Sequence, residues 1–175
     1  MKLSLQDTFG VTIEKGSYER VDLSRARGFY IEPGVKINVL ILNNTYRANI
    51  PKGKYGRIFL NQADEFHIDE EAKINSLILS SSRNARVPAL KYDEVNLSGA
   101  SGFEIAPGVT VGKLFLEGCR HFVIPKGKYK FIFLGNALDY TIMPGAWRWK
   151  IVGADPKLVR LAEEHGKQAD ERKMI

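Results

Sequence analysis

Apolar and polar residues alternate along most of this chain in short bursts, and the bursts return at a nearly fixed interval. A β-branched residue opens each one: Ile13, Ile31, Ile50, Ile68, Val87, Ile105, Ile124 and Ile142, at steps that alternate between 18 and 19. After each opening residue come a turn, often with Pro-Gly, a strand ending apolar-any-Leu, and a second turn rich in Asn, Ser and Gly. Pro-Gly suits a type II turn, because proline presets φ and glycine accepts φ > 0. Two short alternating strands per ~18 residues leave no room for a helix inside the repeat. The chain therefore reads as all-β, a single-stranded β-solenoid (β-helix) of about eight 18/19-residue coils. At a strand spacing of ~4.8 Å, such a stack is a rod about 38 Å long.

The period is itself doubled. Residues 18–79 align without a gap on 92–153, and 25 of these 62 pairs are identical. GFYIEPGV (28–35) matches GFEIAPGV (102–109), VDLSRA (21–26) matches VNLSGA (95–100), and IPKGKY stands at both 50–55 and 124–129. Two tandem four-coil blocks, about 9–82 and 83–155, thus make up a solenoid domain of residues 1–155. After Asp155-Pro156 the period ends, and 156–175 read as a helix and tail, with Leu158, Leu161, Ala162, His165 and Ala169 on one side of the helix. An open solenoid end exposes strand edges and core, so this C-terminal α-helix is expected to act as a cap.

Stacked coils predict inward ladders. In the longer strand the inward pairs are Val21 and Leu23, Leu40 and Leu42, Ile58 and Leu60, Leu77 and Leu79, Val95 and Leu97, Leu114 and Leu116, and Ile132 and Leu134. Tyr18, Tyr55, Tyr92 and Tyr129 occupy the shorter coils, where Ile37, Ile74 and Val111 stand in the longer ones; the tyrosines are expected to fill corners. A row of small residues that includes Cys119 lies near the second turn and is expected to pack rather than react.

Strict alternation turns one residue of each long strand outward, between the two inward ones. That row runs Asp22, Ile41, Phe59, Ile78, Asn96, Phe115, Phe133, Val152: two apolar triplets separated by Asn96. So much large apolar area on one face exceeds what a monomer ordinarily exposes, and predicts a cover: a protein partner, either a second copy or a larger assembly, or the C-terminal helix folded back over part of the row.

Composition and charge narrow the picture only a little. The 175 residues are 44% hydrophobic and 26% charged, with no apolar run long enough for a membrane span. MKLSLQDTFG lacks the apolar region of a signal peptide, and one cysteine forms no internal disulfide, so cytoplasmic synthesis is expected. A net charge of +6 permits a polyanion partner, nucleic acid or anionic glycan. Lysines gather near the first turn: Lys15, Lys36, Lys52, Lys54, Lys73, Lys91, Lys126 and Lys128, of which Lys52, Lys54, Lys126 and Lys128 belong to the duplicated IPKGKY and are the candidate anion-binding set. Glu14, Glu32, Asp69, Glu70 and Glu71 share that edge, which also reads as an ordinary solvated surface.

His67, Arg86 and Glu104 occupy one outward row in successive coils, a trio with acid–base potential of the kind a carbohydrate-active β-helix enzyme would use. No cleft is expected around them. The three histidines and single cysteine are dispersed without metal-ligand spacing, and no nucleotide-binding or nucleophile motif is present, so no catalytic residue, metal or cofactor is assigned. VDLSRARGF and VNLSGASGF locally resemble pentapeptide-repeat sequence, one stretch per half, but the pattern lapses in the other coils and no family is assigned. Bactofilin-type polymerising β-helices offer an analogy of architecture alone. The leading expectation is a structural or assembly protein, by analogy a virion component, that docks through Ile41, Phe59, Ile78, Phe115, Phe133 and Val152. The polyanion-binding module is the alternative, and the enzyme the third reading.

Overall fold

The computed structural model describes residues 1–153, which form strands and turns and, among the described residues, no helix. In chain order the strands of the first half are β1 (Lys2–Ser4), β2 (Thr12–Ile13), β3 (Ser17–Asp22), β4 (Tyr30–Ile31), β5 (Val35–Ile41), β6 (Asn49–Ile50), β7 (Gly53–Phe59), β8 (His67–Ile68) and β9 (Lys73–Ile78). The second half continues with β10 (Arg86–Val87), β11 (Lys91–Asn96), β12 (Glu104–Ile105), β13 (Thr110–Phe115), β14 (Arg120–Ile124), β15 (Gly127–Phe133), β16 (Leu138–Ile142) and β17 (Ala146–Val152). The odd-numbered strands stack into one nine-stranded sheet in sequence order, and the pairings are parallel. Parallel neighbours with no crossing-over are what one chain coiling about an axis produces, and the protein is a β-solenoid of about eight turns. The helix expected over 157–173 lies outside the described residues.

The opening residues stack as the period requires, Ile13 on Ile31, Ile50 on Ile68, Val87 on Ile105 and Ile124 on Ile142. These pairs are all 18 apart, and β2–β4, β6–β8, β10–β12 and β14–β16 form separate two-stranded sheets. In the long sheet the step of 19 falls elsewhere, with Tyr18 beside Ile37, Tyr55 beside Ile74 and Tyr92 beside Val111. Comparing the two registers puts the additional residue of each longer coil in the first turn, between the opening residue and the long strand.

Two versions of that turn recur in both blocks and fill the same space differently, while the 68–74 turn lacks Pro-Gly and the 87–92 turn has Leu90 in place of glycine. In the longer version Pro33-Gly34 and Pro107-Gly108 make the bend, with Gly34 at φ +86° and Gly108 at φ +90°, where a side chain would be strained. The residue after each, Val35 or Val109, is fully buried, with Ile37 or Val111 two places on. In the shorter version Gly53-x-Tyr55 and Gly127-x-Tyr129 stand in register with these. A Cβ on Gly53 would lie 2.9 Å from the Val35 carbonyl oxygen, and one on Gly127 2.7 Å from that of Val109. Glycine there lets the neighbouring backbone approach, and the tyrosine ring occupies the volume that two smaller side chains take in the next coil. Each ring is buried, and each hydroxyl donates to the carbonyl four residues back: Tyr18 to Glu14 (2.9 Å), Tyr55 to Pro51 (2.9 Å), Tyr92 to Pro88 (3.3 Å) and Tyr129 to Pro125 (3.1 Å).

The inward ladders form one continuous core, in which Val21, Leu23, Leu40, Leu42, Ile58, Leu60, Leu77, Leu79, Val95, Leu97, Leu114, Leu116 and Ile132 have no exposure. The row of small residues lines the second turn from inside. Its polar members satisfy themselves on backbone: the Thr45 hydroxyl donates to Leu42, Ser82 to Leu60, and the Cys119 thiol to Leu97 at 3.0 Å. Where the chain leaves the long sheet it passes through the left-handed region, at Arg25 (φ 58°), Asn44 (55°), Gln62 (55°) and Ser81 (58°) in the first block and at Gly99, Gly118 and Gly135 in the second.

Candidate functional site

The long sheet carries the outward rows that matter for function. Register places Ile41 beside Phe59, Phe59 beside Ile78, Ile78 beside Asn96, Asn96 beside Phe115, Phe115 beside Phe133, and Phe133 beside Val152. The six apolar residues thus lie on one line parallel to the solenoid axis. Packing along that line covers their flanks: Ile41 is buried, and Phe59, Ile78, Phe115, Phe133 and Val152 are half-buried. Phe115 and Phe133 stack face to face, 4.5 Å between centroids and 8° between planes, within the favourable range for offset rings. The result is a flat ridge showing its outer edge, with less open apolar area than six free side chains would give.

Asp22 and Asn96 interrupt the row for a local reason. The Asp22 carboxylate bends back to accept from the Ser24 amide (3.1 Å) and hydroxyl (2.7 Å), and Asn96 accepts from the Ser98 amide (2.9 Å). Each is an Asx-type turn that starts the second turn of its coil. Burial pushes the Asp22 carboxyl up, but hydrogen bonds from Ser24, Gln6 and Arg20 outweigh it and hold it below the ordinary aspartate range.

The lysines separate into two groups. Lys52 and Lys126 belong to the turn, where Lys52 pairs with Glu71 at 3.7 Å and the Lys15 amide donates to Glu32 at 2.7 Å. Of the turn lysines, Lys52 alone is paired with a carboxylate among the described residues. Lys54 and Lys128 stand instead on the sheet, one residue before the corner tyrosine, in a row with Lys36, Lys73 and Lys91. Lys36 is in register with Lys54 and Lys54 with Lys73, and the pairing of Ser76 with Glu94 sets Lys91 next to Lys73. None of Lys36, Lys54, Lys73 and Lys91 has a carboxylate within 4.0 Å among the described residues. A groove of about 740 Å³ runs beside the row, lined by Lys36, Lys54 and Lys73 on one wall and by Asn38, Gly56 and Asn75 on the other. Sequence reading named the lysines but missed Asn38, Gly56 and Asn75; the available signal was their fixed place one residue after the corner position.

Arg86 and Glu104 are register partners and both are exposed, yet neither joins the other nor His67 by an ion pair or hydrogen bond among the described residues. His67 pairs instead with Asn49 in β6, so the trio spans two separate sheets. Cys119 is fully buried, and burial pushes its thiol up, away from the reactive thiolate. The more exposed large apolar groups lie elsewhere, such as Phe9, Tyr46 and Leu138; the Arg47 guanidinium sits 4.8 Å over the Tyr46 ring.

The fold and these surfaces define a β-solenoid with organised outward ladders. Comparison of the chain with protein-family models, curated proteins and solved structures gives no significant match.

Proposed function

We propose that this protein is a non-catalytic structural component, a rigid rod that associates with a second copy of itself through the outward apolar row. One observation carries the reading: the row is palindromic about Asn96. Rotating one rod by a twofold axis through Asn96 sets Phe115 of one copy against Ile78 of the other, Phe133 against Phe59, and Val152 against Ile41. Every apolar residue meets an apolar residue, as an isologous interface requires. Asn96 faces its own copy at the axis, with Oδ1 engaged internally and Nδ2 without an intramolecular partner among the described residues.

The size of the ridge sets the strength. Six strand spacings of ~4.8 Å separate Ile41 from Val152, a row about 29 Å long and one side chain wide. With its flanks it buries a small area per partner, at the low end of specific interfaces, so the dimer is weak and concentration-dependent. Sedimentation equilibrium of the full chain up to several hundred micromolar should show reversible dimerisation, abolished by Phe59→Asp with Phe133→Asp. A protein that stays monomeric over that range, or a double variant that dimerises as well as wild type, refutes the reading.

A further inference from the structure

We infer that the lysine row of β5, β7, β9 and β11 is a binding site for a linear acidic polysaccharide laid along the solenoid axis. Four ammonium groups, those of Lys36, Lys54, Lys73 and Lys91, stand on successive parallel strands about 4.8 Å apart. Like charges directly across a sheet oppose folding, and among the described residues none of the four ammonium groups has a carboxylate within 4.0 Å, although Glu71 lies near Lys54 and Lys73. On the neighbouring turn, by contrast, Glu71 faces Lys52. Four ammonium groups in line on the sheet, none of them ion-paired among the described residues, are an arrangement that a bound polyanion would complete.

The groove selects among polyanions. Its far wall offers the carboxamides of Asn38 and Asn75 on either side of Gly56, where a Cβ would lie 2.5 Å from the Asn38 carbonyl oxygen. Lysine on one side and amide on the other suit a ribbon that carries a carboxylate on each sugar and hydroxyls along its edge. The rise per sugar of an extended 1→4-linked chain is close to the strand spacing, so each carboxylate meets one lysine in turn. Nucleic acid fits less well. Single strands are held largely by base stacking on aromatic faces, and the aromatic rings beside this row, Tyr55 and Tyr92, are buried as corner fillers. At one end of the groove Glu19 is paired with Lys2 at 3.2 Å. The groove itself reaches as far as Lys73 and Asn75; on the next strand, beyond it, Asp93 stands two residues after Lys91 where the earlier coils carry Asn75 and Asn38.

The test uses galacturonate oligomers of defined length and a thymidine oligonucleotide as probes, with affinity measured calorimetrically on the full chain at low and moderate salt. Affinity should rise with oligomer length and level off at about four sugars, one per lysine, and should fall with salt as charged contacts do. Lys54→Gln with Lys73→Gln should weaken galacturonate binding by about tenfold or more. Lys15→Gln with Lys126→Gln, on the turn, should change it by less than about twofold, and thermal unfolding will confirm that both variants are folded. No binding of galacturonate oligomers, equal effects of the two lysine pairs, or tighter binding of the thymidine strand overturns the inference. Dimerisation is read separately by sedimentation, so either conclusion survives failure of the other.

Discussion

Removing one hydroxyl from a corner tyrosine separates two contributions that the fold combines, ring volume and hydrogen bonding. In Tyr55→Phe the ring stays and the bond to the Pro51 carbonyl is lost. That carbonyl has no other donor among the described residues, and Pro51 is buried, so the variant leaves an acceptor unsatisfied at a cost of about 1–3 kcal/mol. Tyr92→Phe is the internal control. The Pro88 carbonyl already accepts from the Leu90 amide at 2.8 Å, and the tyrosine bond there is longer at 3.3 Å, so the cost should be about 0.5 kcal/mol. For a chain of this size a kcal/mol corresponds to about 2–4 °C in the unfolding midpoint, which scanning calorimetry resolves. Alkaline titration supplies a second readout. Burial, with a smaller push from the Asp69 carboxylate, raises the Tyr55 hydroxyl pKa above its ordinary value. The folded state then keeps a proton that the unfolded chain releases above about pH 10, and stability falls by about 1.4 kcal/mol per pH unit for each such tyrosine. Tyr55→Phe should therefore be less stable than wild type at neutral pH and should lose stability less steeply above pH ~10. A Tyr55→Phe variant as stable as wild type, with an unchanged alkaline slope, would show that the rings alone carry the corner, and a Tyr92→Phe variant as damaged as Tyr55→Phe would refute the assignment of the cost to the unsatisfied Pro51 carbonyl.

Three further predictions test other joints of the coil. Gly127→Ala sets a methyl group 2.7 Å from the Val109 carbonyl oxygen, a backbone atom of the next coil, and should destabilise by about 1–3 kcal/mol as overpacking does, measured by denaturant midpoint. Gln62→Gly relieves a side chain held at φ 55° and should raise the midpoint, by a gain of up to about 1 kcal/mol; a loss would mean the glutamine side chain contributes more than its backbone strain costs. Asp22→Asn keeps the Asx turn, as Asn96 does in the second block, while removing a carboxyl held below its ordinary range. The stabilisation from that carboxylate is present above pH ~4 and disappears as pH falls through the folded value, so the variant's acid unfolding curve should be the flatter one.

Much of this fold was legible because a solenoid writes its geometry along the chain. The opening row from Ile13 to Ile142 and the inward pairs such as Leu40 with Leu42 follow from period and alternation alone, and they stack as read. The location of the additional residue was hidden in the steps of 18 and 19, since only the two registers together assign it to the first turn. The lysines looked like one edge because sequence distance from the Pro-Gly turn does not reveal where the strand begins; Lys52 and Lys54 are two residues apart, one in the turn and one on the sheet. The outward row was found, but its half-burial was not, because mutual shielding of stacked neighbours such as Phe115 and Phe133 is absent from a one-dimensional pattern.

The alternation of shorter first turns, with a corner tyrosine, and longer ones, with Ile37, Ile74 or Val111 in its place, also sets the module by which such a rod can grow. A tyrosine coil fits against a longer coil, as Gly53 makes room for the Val35 backbone and Gly127 for that of Val109, so the transferable unit is a pair of coils, 37 residues, rather than a single one. Copying 50–86 in tandem keeps unlike turns in contact and should lengthen the rod by about 9.6 Å with the fold intact. Copying one coil alone brings like turns together, tyrosine against tyrosine or a longer turn against a longer turn, and should be markedly less stable. Length in this protein is thus counted in twos, and the four-coil duplication in its sequence is one of the increments that this rule permits.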